Sequence, residues 1–212
     1  MKLEQEISEY YESILAMSDT VRTMYVMAIE VLNSGSKERA LAIVELDEYV
    51  NNYNEAINDK AIEILALLAP VASDLRMILA GIKMSTDLER IGDYAKAIGR
   101  YVIKNEKMDE RLAPYVNPIG NQFIGFFDKA MLAFKEKDIK AALSLPSQDD
   151  IIDSEFKKLL HFIETLHNKG EIITHLVPTI GMLRNIERAG DHTKNICEHI
   201  IYEVKGQHYD FG

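Results

Sequence analysis

The chain of 212 residues holds one cysteine, no tryptophan and five prolines, and acid outweighs base to leave a formal charge of -10. Each shortage excludes something. A lone Cys197 cannot close an internal disulfide. The acidic balance argues against sequence-independent nucleic-acid binding, which needs Lys and Arg to displace counterions from phosphates. Long apolar runs are missing as well. The most apolar stretch, AIEILALLAPVA at 61–72, is shorter than the about 20 residues that span a bilayer, and it carries Glu63 and Pro70. The opening MKLEQEISEYYES has neither the basic start nor the apolar run of a secretory signal, so the expected location is the cytoplasm, with any membrane association made through a partner. No glycine-rich phosphate loop is present, and no nucleophile has a neighbouring base.

What the chain does have is helical periodicity. Apolar residues recur at spacings of three and four over most of its length, while the alternation expected of strands is absent. Ile7, Tyr10, Ile14, Met17, Val21, Met24, Ala28 and Val31 form an unbroken seam, which predicts a first helix over 3–32, ended by Gly35 and followed by serine caps. A second helix carries Ala40, Ile43, Val50, Ile57, Ala61, Ile64 and Leu68, with Asp47 and Asn54 interrupting its seam. Pro70 suits the first turn of a third helix running to about 105.

The stretch KNEKMDERLAPYVNP at 104–118 breaks the periodicity and divides the chain, with one repeat expected over 1–106 and another over 107–212. A second trio follows. Ile119, Phe123, Phe126, Ala130 and Ala133 predict a fourth helix. Ile152, Phe156, Leu159, Ile163 and Leu166 predict a fifth, begun after Pro146 with Ser147 as its cap. Beyond a turn at Gly170, Leu176 to Val204 outline a sixth. The expected fold is all-α, two tandem three-helix bundles built from six long helices.

The duplication is sharpest where the apolar seam fails. Glu89, Arg90, Gly92, Asp93, Lys96 and Ile98 recur at constant offset as Glu187, Arg188, Gly190, Asp191, Lys194 and Ile196. Residues four apart share a helix face, so each Glu-x-x-x-Asp stacks two like charges, which destabilises a helix unless a cation neutralises them. The preceding helices carry matching candidates, Asp47 with Asn51 and Asp149 with Asp153. In an antiparallel hairpin, residues equidistant from the turn lie side by side. Positions 47 with 93 and 51 with 89 both centre on Pro70, while 149 with 191 and 153 with 187 both centre on Gly170. The eight side chains Asp47, Asn51, Glu89, Asp93, Asp149, Asp153, Glu187 and Asp191 therefore make two candidate metal sites. Oxygen donors without thiolates favour magnesium, manganese, calcium, iron, or zinc if histidine assists. Gly92 and Gly190 remove a side chain where a facing helix or an ion approaches. Asn51 leaves the first site one charge short, so the second is expected to bind metal more tightly.

Other readings stand beside this one. Lys96 and Lys194 could satisfy the acids as ordinary surface pairs, and Asp149 with Asp150 suits the first turn of a helix, where the dipole favours acids. A carboxylate-bridged, oxidase-like metalloenzyme in a helical bundle is the main alternative function, although Glu164 with His167 is the only Glu-x-x-His and such enzymes use two. A helical scaffold without metal is a third. His192 follows Asp191 and could add a nitrogen ligand or simply face water, and Cys197 sits on a seam as a small core residue.

The stretch PVASDLRMILAGIKMSTDLERIGDYAKAI at 70–98 resembles the signature of the PhoU family of phosphate-transport accessory proteins, and NIERAGDHTKNI at 185–196 resembles its second-repeat counterpart. The resemblance in length, helix count and duplication covers nearly the whole chain. It implies pseudo-twofold symmetry between the bundles and surface metal clusters, one held by Asp47, Glu89 and Asp93, the other by Asp149, Asp153, Glu187 and Asp191. Asn51 departs from the acidic form of the motif. The resemblance also implies a non-catalytic adaptor between the ATPase subunit of a phosphate ABC transporter and a membrane sensor histidine kinase; a second copy of the chain, in a homodimer, is a further candidate partner. Such an adaptor restrains phosphate-starvation signalling from the inner face of the membrane.

Overall fold

The computed structural model describes residues 2–211. Its long helices are α1 (Lys2–Ser34), α2 (Lys37–Leu68), α3 (Ser73–Asn105), α4 (Ala113–Glu136), α6 (Ser147–Asn168) and α7 (Leu176–Lys205), with a short α5 (Ile139–Ser144) between α4 and α6. The first seam is buried as expected: Tyr10, Ile14, Met17, Val21, Met24, Ala28 and Val31 lose all contact with water. Gly35, at φ 70°, ends α1, and Ser36 caps α2 by accepting from the Arg39 amide at 3.3 Å.

Three local expectations are corrected. Pro70 lies in the linker, not in the first turn of α3. A residue before proline is driven out of the right-handed helical region, and Ala69 ends α2 in the left-handed conformation common at helix C-termini, at φ 44°. Ala72 also has positive φ, so α3 starts only at Ser73. The predicted break at 104–118 is shorter than expected, because Pro114 falls in the first turn of α4, where its missing N–H costs nothing. Pro118 follows one turn later inside the same helix. Ser147 does not cap α6. Leu145 and Pro146 both stay right-handed helical, so α5 runs almost directly into α6. The Ser147 hydroxyl instead donates back to the Ser144 carbonyl at 2.8 Å. Helix α5 itself was not anticipated; Asp138 caps it, accepting from the Lys140 and Ala141 amides.

Helices α1 to α3 form one bundle and α4 to α7 a second, joined face to face mainly by α3 against α7. These two run antiparallel. Arg76 at the start of α3 reaches the Glu203 carbonyl near the end of α7, and Tyr101 near the end of α3 bonds Thr179 near the start of α7. Helices α1 and α4 complete the central layer, where the Tyr25 and Phe123 rings pack at 4.3 Å. Helices α2 and α6 lie outside it, α2 close along α3 and α6 more loosely against α7. One continuous apolar core runs through both bundles. No helix among the described residues is long and apolar enough to cross a membrane.

Candidate functional site

In the first bundle the hairpin register brings Asp47 of α2 opposite Asp93 of α3, with the Lys96 ammonium between them. Lys96 Nζ is 2.6 Å from Asp47 Oδ2 and 2.6 Å from Asp93 Oδ1. Asn51, four residues beyond Asp47 on the same helix face, donates its amide to Asp47 Oδ2 at 3.1 Å. Arg90 stands 3.8 Å from both Glu89 and Asp93. Burial, and then the neighbouring Asp93, push the Glu89 carboxyl above its ordinary range. Burial works against the Lys96 charge, but its hydrogen bonds to Asp47 and Asp93 outweigh that and hold the ammonium more firmly than usual.

The second bundle repeats the arrangement with wider spacing. Lys194 Nζ is 3.0 Å from Asp149 Oδ2 and 3.6 Å from Asp191 Oδ1. Burial pushes the Asp149 carboxyl up. Glu187 is pushed up too, by burial first and then by the like charges of Asp191 and Asp153. No amide stands in for Asn51 here, because Asp153 occupies its place.

The glycines before each second acid have different tasks. A Cβ on Gly190 would collide with Asp149 Oδ1, so that glycine makes room for the carboxylate itself. A Cβ on Gly92 would lie 3.2 Å from Val50 Cγ1, an apolar contact one turn further along α2.

The two lysines are more than surface pairs, since their side chains are only 16% and 13% exposed. As the side chains stand, no group of three or more His, Cys, Asp or Glu among the described residues is placed to hold a metal ion. One observation nevertheless fits a cation in both bundles. Asp47 is 4% exposed and Asp149 2%, and each leaves its Oδ1 buried without a hydrogen-bond donor. A buried carboxylate oxygen without a donor is costly. The donors are all oxygen, as hard cations require.

The histidines form a site the sequence reading passed over. Asp87 of α3 is buried beneath α7, where His192 Nδ1 lies 2.7 Å from its Oδ1, His199 Nε2 2.7 Å from its Oδ2, and Asn195 Nδ2 3.2 Å from Oδ1. His192 thus neither faces only water nor joins the carboxylates, because Tyr94 holds its other nitrogen at 3.2 Å. Burial alone would raise the Asp87 carboxyl, but the bonds from His192 and His199 pull it down to about 2. The available signal was the spacing 192, 195 and 199, three polar residues on one face of α7. Glu164 pairs with His161 on an exposed turn of α6, away from both carboxylate sets. Cys197 is fully buried, and burial pushes its thiol up to about 12, as suits a core residue.

A family model described as "PhoU domain" matches the chain twice, over residues 14–102 and 116–200, and each match contains one carboxylate set. The chain belongs to the PhoU family. A relative from Pseudomonas putida named as a phosphate-specific transport system accessory protein PhoU homolog is 35% identical over 204 residues, covering 95% of this chain and 80% of that protein. The Escherichia coli accessory protein PhoU is 29% identical over 206 residues, covering 96% of this chain and 86% of its own length. The crystal structure of PhoU from Pseudomonas aeruginosa superposes with a TM-score of 0.89 at 32% identity, covering 96% of this chain and 99% of that one. A phosphate transport system regulatory protein PhoU from Streptococcus pneumoniae gives 0.90 at 27% identity, covering 99% of this chain and all of its own. The PhoU fold therefore accounts for both bundles and for the duplication of the motif.

Proposed function

We propose that the chain is a non-catalytic regulator of phosphate uptake that binds a metal ion or a small metal cluster in each bundle. The observation that carries the metal reading is the orphaned, buried Oδ1 of Asp47 and of Asp149, found at equivalent places in two separate hairpins. Asp47, Glu89 and Asp93, with Asn51 beside them, would hold the first ion; Asp149, Asp153, Glu187 and Asp191 would hold the second. A bound iron, zinc, manganese or magnesium ion would supply positive charge that ties α2 to α3 and α6 to α7. Asp47 and Asp149 fix the buried side of each site, and the acids of α3 and α7 present its open side. The oxidase-like alternative has no support in the geometry, because Glu164 and His167 lie apart from both carboxylate sets.

The naming of its relatives as accessory and regulatory proteins of phosphate transport supports the phosphate role. In this reading the protein works as a homodimer on the inner face of the membrane. It contacts the ATPase subunit of a phosphate ABC transporter and a sensor histidine kinase, and it restrains phosphate-starvation signalling when phosphate is plentiful. The test is deletion in a strain with no second copy, with affinity purification of the tagged protein. Expression of phosphate-starvation genes in rich phosphate should rise, and the transporter ATPase subunit should co-purify. Normal repression in the deletion strain contradicts the reading.

A further inference from the structure

Resting on the metal reading above, we infer that Lys96 and Lys194 are tethered cations that occupy the two sites when metal is absent, and that they set the order in which the sites fill. Both lysines stand three residues after the second acid of the motif. Both reach from the inner helix to the buried aspartate of the outer one, and both are largely shielded from water. In each bundle the ammonium therefore sits where the acids of two helices converge.

The two clamps differ in strength. Lys96 holds Asp47 and Asp93 at 2.6 Å each, with the Asn51 amide on the same Asp47 oxygen and Arg90 near Glu89 and Asp93. Lys194 holds Asp149 at 3.0 Å and Asp191 at 3.6 Å, Asp153 brings a fourth carboxylate, and Asp191 is half exposed. An arriving divalent ion must displace or repel the ammonium, and Coulomb repulsion between the two is strong at these separations in a partly buried site. The second site therefore opens more readily. The first is held shut by its own side chains and fills last.

The test is a manganese titration of the full-length protein after chelator treatment, run beside Lys194→Gln, Lys96→Gln and the charge-preserving Lys194→Arg and Lys96→Arg. Removing the charge should tighten manganese binding at the corresponding site by about tenfold or more, on the scale of other changes around metal ligands, while the arginine variants should bind no more tightly than wild type. Acetylation of Lys194 by a water-soluble reagent, followed by peptide mass spectrometry on the wild-type protein, gives a second readout that needs no variant to fold. Manganese should raise the reactivity of Lys194 first and that of Lys96 only at higher concentration. If wild type binds manganese but the glutamine variants bind equally or less well, or if lysine reactivity is unchanged at saturation, the tethered-cation inference falls and the metal sites stand. If neither wild type nor any variant binds at millimolar manganese, the metal reading itself falls. Binding by the glutamine variants alone supports the inference.

Discussion

Tyr94 and His192, each the residue that follows the second acid of its motif copy, meet across the interface between the bundles, with the tyrosine hydroxyl 3.2 Å from Nε2 and the rings 5.6 Å apart. The duplicated motif therefore does two things at once. Its acids face the outer helix of their own bundle, while the neighbouring side chain pins one bundle to the other. On the far side of the same imidazole, Nδ1 reaches Asp87.

The Asp87 cluster should make stability depend on pH. Its folded-state carboxyl lies near 2 against an ordinary value of 3.8. A depressed acid contributes stability that is complete above its unfolded value and is lost as pH falls from about 4 toward 2. Asp87→Asn should cost roughly 2 kcal/mol at pH 7, on the scale of 1.36 kcal/mol per unit, and about half of that at pH 3. Urea denaturation at the two pH values measures this; an equal loss at both would show that the charge is not responsible.

Gly190→Ala and Gly92→Ala separate a collision from a close fit. At Gly190 the new methyl meets the carboxylate of Asp149, so a loss of about 1–3 kcal/mol is expected. At Gly92 the neighbour is a buried Val50 methyl at 3.2 Å, which has to give by only a few tenths of an ångström, and the gain in helix propensity of about 1 kcal/mol offsets most of the strain. Thermal melts in chelator should therefore rank the variants clearly. Equal losses would contradict the assignment of Gly190 to the carboxylate.

Glu203 should be a liability at neutral pH. It is buried, its carboxyl is pushed up by burial, and the half-exposed Lys137 at 3.1 Å, followed by the Tyr11 hydroxyl, opposes that shift without cancelling it. An acid with a raised folded-state value binds its proton more tightly in the native protein, so its contribution improves as pH falls into that range and is unfavourable above it. Glu203→Gln should leave the melting temperature at pH 7 unchanged or higher. A drop equivalent to more than about 1 kcal/mol would mean that the pair with Lys137 stabilises the fold.

The helices and the register of the carboxylates were legible because both follow from spacing. The turn centres at Pro70 and Gly170 put Asp47 opposite Asp93 and Asp149 opposite Asp191, and Lys96 and Lys194 bridge those pairs. The role of Ser147 was not legible, because capping depends on whether the chain leaves the helical region before it, and Pro146 does not. Nor was the central position of the lysines. Spacing shows that Lys96 is a turn from Asp93, but only packing shows that its ammonium also reaches the buried Asp47. The Asp87 cluster was legible only on its α7 side, in the spacing of 192, 195 and 199; that these residues meet Asp87 was not, because it lies more than 100 residues away on α3.

The most direct measurement is a metal titration by calorimetry of the chelator-treated protein beside two double variants, Glu187→Gln with Asp191→Asn and Glu89→Gln with Asp93→Asn. The account predicts two binding steps in the wild type. The variant in the second bundle should lose the tighter step and, freed of crowded like charge, melt without metal at the wild-type temperature or above it; the variant in the first bundle should lose only the weaker step. Loss of the tighter step from the first-bundle variant would reverse the assignment of the two sites, and the absence of any binding step in the wild type, with no shift of its melting temperature by metal, would contradict the metal sites altogether.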